Sequence, residues 1–179
     1  MLIVHETTDL DSALQSLMKT HRLKTTPTKI KEVYRPFWLG KALYHAENRS
    51  KQPVDGTVVF LADARILNWR VIGAYQYQTI ESVLDLREHQ VNFVASEQEP
   101  APDAEVYEPM LSQLQLSTRT RLMAARRLLA RTLKLGKIEF EDEVEYHLIY
   151  RPYWEIEFQT RRGDTDYALI SRDNLLVRK

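Results

Sequence analysis

Apolar positions along the chain follow two rhythms, and each half of the sequence passes from one to the other. Leu10, Ala13, Leu14, Leu17, Met18 and His21 recur at helical spacing. Just before them, Thr8-Asp9-Leu10-Asp11 sets a hydroxyl and a carboxylate where the free amides of a helix start need acceptors. A second amphipathic helix is expected from a Ser117 or Thr118 cap to Leu135, with Leu122, Ala125, Leu129 and Leu133 on one stripe. Gly136 stands where a left-handed terminating residue is wanted. After each helix the period falls to two, as in Val144, Tyr146, Leu148 and Tyr150, then Trp154, Ile156 and Phe158, which predicts strands. Arg161-Arg162-Gly163-Asp164 reads as a hairpin turn into Tyr167 to Ile170, and Asp173-Asn174 as the next turn, into Leu175 to Arg178.

The halves also share a string. Tyr34-Arg35-Pro36-Phe37-Trp38 is repeated 116 positions on as Tyr150-Arg151-Pro152-Tyr153-Trp154. With one insertion, Val59-Phe60-Leu61-Ala62-Asp63-Ala64 then lies over Tyr167-Ala168-Leu169-Ile170-Ser171-Arg172. The fold class this predicts is α+β: two tandem αβββ repeats forming antiparallel sheets, with one amphipathic helix packed on each. The first repeat, with extra strands at Val71 to Gln78 and Val91 to Val94, occupies 1–96. An acidic, proline-containing linker follows at 97–116, and the second repeat at 117–179.

Helix, strand and then a hairpin closing after an aliphatic strand resembles the PepSY family, the repeat of peptidase propeptides and bacterial envelope proteins. The matching stretches are Leu10 to His21, Trp38 to Tyr44 and Val59 to Leu67, where Ala62-Asp63-Ala64 is similar to the family's valine-aspartate-alanine turn. The second copy matches through Thr118 to Leu135, Trp154 to Gln159 and Tyr167 to Leu176, and departs at its turn, Ser171-Arg172-Asp173-Asn174. The resemblance implies a protein-binding or inhibitory module and carries over no active-site residue.

Composition narrows the chemistry. Twenty-five basic residues balance 25 acidic ones in 179, so net charge steers the chain toward neither nucleic acid nor anionic membrane. Absence of cysteine removes disulfides, thiolate nucleophiles and most structural zinc sites, and favours a cytoplasmic setting. The start, Met1-Leu2-Ile3-Val4-His5-Glu6, lacks a signal sequence's basic flank, and no stretch approaches a membrane span, so no membrane partner is expected. His5, His21, His45, His89 and His147 stand at no metal-ligand spacing. The five glycines draw neither a P-loop nor a dinucleotide fingerprint, so no cofactor is expected.

Three functions remain. The first is a non-enzymatic, regulatory or inhibitory module that binds a protein or peptide along an aromatic edge made of Tyr34, Arg35, Phe37, Trp38, Tyr150, Arg151, Tyr153 and Trp154. The core reading of the same tryptophans is that each anchors its own repeat. Because Trp154-x-Ile156-x-Phe158 is Trp38-x-Gly40-x-Ala42 in the first copy, bulk is missing at Gly40 and Ala42. Either the middle segment with Trp69, Tyr75 and Tyr77 packs there or a pocket opens. Exposed edges would equally serve a homodimer. The second function is phosphate contact by Arg119, Arg126, Arg127, Arg131 and Lys134 on the second helix, set against neutralisation by Glu139, Glu141, Asp142, Glu143 and Glu145. The third is an enzyme with dispersed residues, for which His45, Asp63 and Arg65 would have to converge.

Overall fold

A computed structural model describes residues 1–21, 27–66, 68–77, 80–89, 91, 93–113, 125–127, 129–159 and 163–173. Its elements are β1 (Leu2–Val4), α1 (Leu10–His21), β2 (Lys29–Glu47), β3 (Pro53–Asp63), β4 (Trp69–Gln76), β5 (Ala95–Glu97), β6 (Glu105–Val106), β7 (Gly136–Gln159) and β8 (Thr165–Ser171). A second helix is described at 125–127 and 129–132. No helix among the described residues is long and apolar enough to cross a membrane.

The chain forms two compact units, and neither is a sequence half. One comprises Met1–Pro36, Asn92–Glu108 and Ile149–Lys179; the other comprises Phe37–Val91 and Pro109–Leu148. The first will be called the α1 unit, the second the β3 unit. Strands β2 and β7, 19 and 24 residues long, contribute their two ends to different units.

In the β3 unit, neighbouring strands run β4-β3-β2-β7. Ala42, Tyr44, Ala46, Val58 and Phe60 on one sheet face pack with Ala125 and Leu129 of the second helix and with Ile138. Apolar residues of the middle segment, Ile80, Val83 and Leu86, are each fully buried. Lys41 Nζ donates to Ile80 O at 3.4 Å, on the sheet face opposite the helix. In the α1 unit, β7 pairs with β8 and, through Ile3 and Tyr150, with β1 in parallel; β1 carries β5. Leu10, Ala13 and Leu14 of α1 pack on Trp154, Ile156, Ala168 and Ile170. Asp9 caps α1, its Oδ1 accepting from Ser12 N at 2.9 Å.

Each helix therefore covers the hairpin of the other repeat. This overturns the expected fold of αβββ repeats with a helix on each: the chain is mostly a mixed sheet, with parallel pairs at β1–β7 and β2–β6. Amphipathic periodicity establishes that a helix has a face to bury, but not which sheet receives it. The expected linker at 97–116 contains β6, whose Glu105 and Val106 pair with Val33 and Tyr34 of β2. The expected strand Leu175 to Arg178 lies outside the described residues.

Proline cannot donate to a ladder and is usually kept to a strand start, edge or bulge, yet Pro36 and Pro152 both lie inside long strands. Each sits where a strand changes neighbours. Pro36 falls between Tyr34, paired with β6, and Phe37, paired with β3. Pro152 falls between Tyr150, paired with β1, and Tyr153, paired with β8. The missing N–H thus coincides with a gap between ladders. Gly136 does not end the second helix; positive φ occurs at Lys134 (59°) and Lys137 (44°).

Candidate functional site

The repeated string serves the interior. Tyr34, Phe37, Arg151, Tyr153 and Trp154 are buried, while Arg35, Trp38 and Tyr150 are partly so. Trp38 Nε1 donates to Leu111 O at 2.8 Å, which ties down the polar end of that ring. In the α1 unit the string supports a buried ionic knot. Arg151, 1% exposed, donates through Nε and Nη2 to the two oxygens of Asp173 at 2.5 and 2.7 Å. Its Nη2 also donates to Ser171 Oγ at 3.0 Å. The Arg151 guanidinium lies 5.3 Å from the centre of the Tyr153 ring, with Arg35 6.0 Å from that centre. Arg172 lies 4.8 Å over Trp154 and pairs with Glu6 and Glu32. Asp173, read from the sequence as part of a turn, is also the buried counter-ion of the knot. These residues offer no exposed aromatic edge for a peptide.

The candidate pocket at Gly40 and Ala42 is filled, and by an unforeseen residue. A Cβ on Gly40 would lie 2.2 Å from Phe60 Cζ, so the Phe60 ring occupies the space. Tyr146 meets that ring edge-on at 5.8 Å, and Trp69 packs against the same cluster.

Arg127 and Arg131 of the second helix and Lys134 just beyond it are exposed, and Arg126 is held by Ile138 O; Arg119 lies outside the described residues. Four of the five acids expected to neutralise this helix point the other way. The Asp142 side chain lies outside the described residues; Ile138, Phe140, Val144 and Tyr146 of β7 face the helix cluster, so Glu139, Glu141, Glu143 and Glu145 face the opposite side. There Glu145 pairs with Lys41 and His147, and Glu141 with His45. Hydrogen bonds from Lys41 and, less strongly, His147 hold the Glu145 carboxyl below its usual range. His45 also meets Asp55, with Nδ1 2.7 Å from Oδ1. That bond, helped by Glu141, raises the imidazole above its ordinary value.

His45, Asp63 and Arg65 do not converge. His45 stands opposite Asp55 in the β2–β3 ladder, and Asp63 is eight residues further along β3, about 27 Å at ~3.4 Å per residue. Asp63 Oδ1 accepts instead from the backbone N–H of Arg65 at 2.8 Å, closing its own turn. Among the described residues no group of three or more histidine or carboxylate side chains is placed to hold a metal.

What the α1 unit does present is the outer face and edge of its hairpin. Along β7, Trp154, Ile156 and Phe158 turn inward to the buried side, so Glu155 and Glu157 point out. Along β8, Ala168 and Ile170 pack on the core while Tyr167 and Leu169 are 60% and 38% exposed. Lys29, Lys31, Glu155, Glu157 and Tyr167 line a cleft of about 290 Å³. A second, of about 600 Å³, lies between Ile30–Glu32 and Ala101–Glu105, with Lys31 common to both. Tyr107 donates to Glu155 Oε2 at 3.1 Å, Thr28 to Glu157 Oε1 at 3.1 Å, and Lys31 to Glu105 at 3.4 Å. Opposite charges thus stand in rows beside exposed apolar side chains, a mixture that suits contact with another polypeptide. The sequence carried this signal, since the residues between Trp154, Ile156 and Phe158 necessarily form the other face. Reading only the apolar half of the alternation passed over them.

No protein-family profile, curated protein or solved structure matches the chain.

Proposed function

We infer that the protein is a non-enzymatic binding module that receives an extended segment of another polypeptide along β8 of the α1 unit. The carrying observation is the combination at that strand. Its described pairing is with β7 alone, and its side chains alternate between core and exposed apolar. A short strand of this kind offers main-chain donors and acceptors for affinity and Tyr167 and Leu169 for selectivity. A cytoplasmic setting fits the absence of cysteine. Selection of displayed random peptides on the full chain tests the reading. Enriched peptides should alternate apolar and polar residues, protect β8 amides from exchange, and lose binding when Tyr167 or Leu169 becomes Asp but not when exposed Tyr77 does. Failure to enrich any peptide, or binding indifferent to both changes, refutes it.

A second reading is supported by one observation. Because Glu141 and Glu145 of β7 pair elsewhere, exposed Arg127 and Arg131 on the second helix, with Lys134 just past its end, keep a basic stripe. Contact with nucleic-acid phosphates would then weaken steeply with salt. The absence of duplex or single-strand binding at low salt would dismiss it.

A further inference from the structure

The geometry points to a second copy of this chain as the polypeptide that pairs with β8, giving a two-fold symmetric dimer joined edge to edge. This rests on β8 being the binding edge and names its occupant.

In an antiparallel ladder, the N–H and C=O of alternate residues point to the same side. Arg172 N donates to Pro152 O of β7 at 3.0 Å. The even-numbered residues of β8 therefore face β7, and Thr165, Tyr167, Leu169 and Ser171 direct their backbone groups to the other edge, where no strand lies among the described residues. One of these N–H groups has found a local substitute: Tyr167 N donates to the carboxylate Oδ1 of the adjacent Asp166 at 2.9 Å. That is the behaviour of a ladder amide with no strand beside it among the described residues.

The edge is self-complementary. A two-fold axis at Ala168 sets Tyr167 opposite Leu169 of the second copy and Leu169 opposite its Tyr167. Both are residues with edge-directed backbone, so about four main-chain hydrogen bonds form at the centre and more at Thr165 and Ser171. On the side-chain face the same register makes two identical aromatic–aliphatic cross-strand contacts, a favourable class of pair. Thr165–Ser171 has no proline and no lysine, the residues that normally protect an edge from such pairing. Asp166 carries its only charge, and its carboxylate must release the Tyr167 amide as the second strand arrives.

Sedimentation equilibrium on the full chain tests this. The expected mass is twice the 21.1 kDa of the chain, falling toward one copy on dilution. Leu169→Lys and Tyr167→Lys are expected to raise the dissociation constant by about tenfold or more. Leu169→Pro removes an edge-directed N–H and should abolish pairing while circular dichroism is unchanged, because a proline there spares the bonds to β7. Should that variant unfold, Leu169→Lys carries the test. Asp166→Ala frees the amide and should tighten the dimer, and Tyr77→Lys should leave it unchanged. A single-copy mass at every concentration, or a dimer indifferent to the changes at Tyr167 and Leu169, overturns the assignment. A single-copy chain whose selected peptides still require Leu169 removes the dimer and leaves the binding module. A dimer through β8 that takes up no foreign peptide does the reverse.

Discussion

The two hairpins pair in the same register and fill their interiors by opposite means. Phe37 stands opposite Asp63 and Trp38 opposite Ala62; at the equivalent points Tyr153 meets Ser171 and Trp154 meets Ile170. Two residues further on, Gly40 faces Phe60 in the β3 unit, whereas Ile156 faces Ala168 in the α1 unit. The large and small partners have changed strands. A close-packed interior fixes the volume between neighbouring strands more strictly than it fixes which strand supplies it. The units differ again just beyond the hairpin. The β3 unit closes Asp63 on its own turn, while the α1 unit buries Asp173 against Arg151.

The hardest blow to this comparison falls on the ionic knot. Asp173→Ala leaves the Arg151 guanidinium buried without its partner and should cost about 3–5 kcal/mol. The change at its counterpart in the other hairpin, the partly exposed Arg65→Ala, should cost under about 1 kcal/mol. Urea unfolding of both variants measures the contrast, and equal losses would show that the knot does not distinguish the units. Phe60→Ala empties the space over Gly40 and should cost about 3–5 kcal/mol. Adding Gly40→Ile to it rebuilds the large–small order of the α1 unit and should recover more than about 1 kcal/mol of that loss. No recovery would mean that the hairpins are not interchangeable in this respect. Leu129→Ala should cost about 2–5 kcal/mol. Its distinguishing result is the location of the damage: hydrogen exchange should accelerate first at Val58 to Phe60 and not at Trp154 to Phe158. The smallest effect concerns pH. The folded value of His45 is raised by Asp55 and Glu141, so its stabilising contribution is complete below the ordinary histidine value and is lost as pH rises through the folded one. Melting temperature should therefore fall slightly more for the wild type than for His45→Gln between about pH 6 and about pH 9.

Part of this was legible in the sequence. Laying Val59 to Ala64 over Tyr167 to Arg172 superimposes residues that occupy equivalent positions in the two hairpins, because a shift by one would exchange the faces of every side chain. Both helices were visible in their periodicity, and the start of α1 in Asp9. The exchange of helices between repeats was not, since Ala13 would satisfy the same pattern on either sheet. Nor were the interior positions of Pro36 and Pro152, because a proline in a strand is tolerated or not according to its neighbours in space. The ionic knot hid behind an ordinary turn sequence at Asp173. Tyr167 and Leu169 were legible as strand residues, but their exposure depends on which strand lies beside β8.

The exchange of helices has a consequence for the newly made chain. Phe60 and Val58 are synthesised long before Leu129, which completes their cluster, and α1 precedes Trp154 by more than a hundred residues. At roughly 5–20 residues per second of translation, the first hairpin waits for seconds with its apolar face uncovered. Neither half can finish folding as it emerges from the ribosome. The protein should be slow to fold for its length, as chains dominated by distant contacts are, and a ribosome-arrested first half should engage chaperones that the released full-length chain no longer needs.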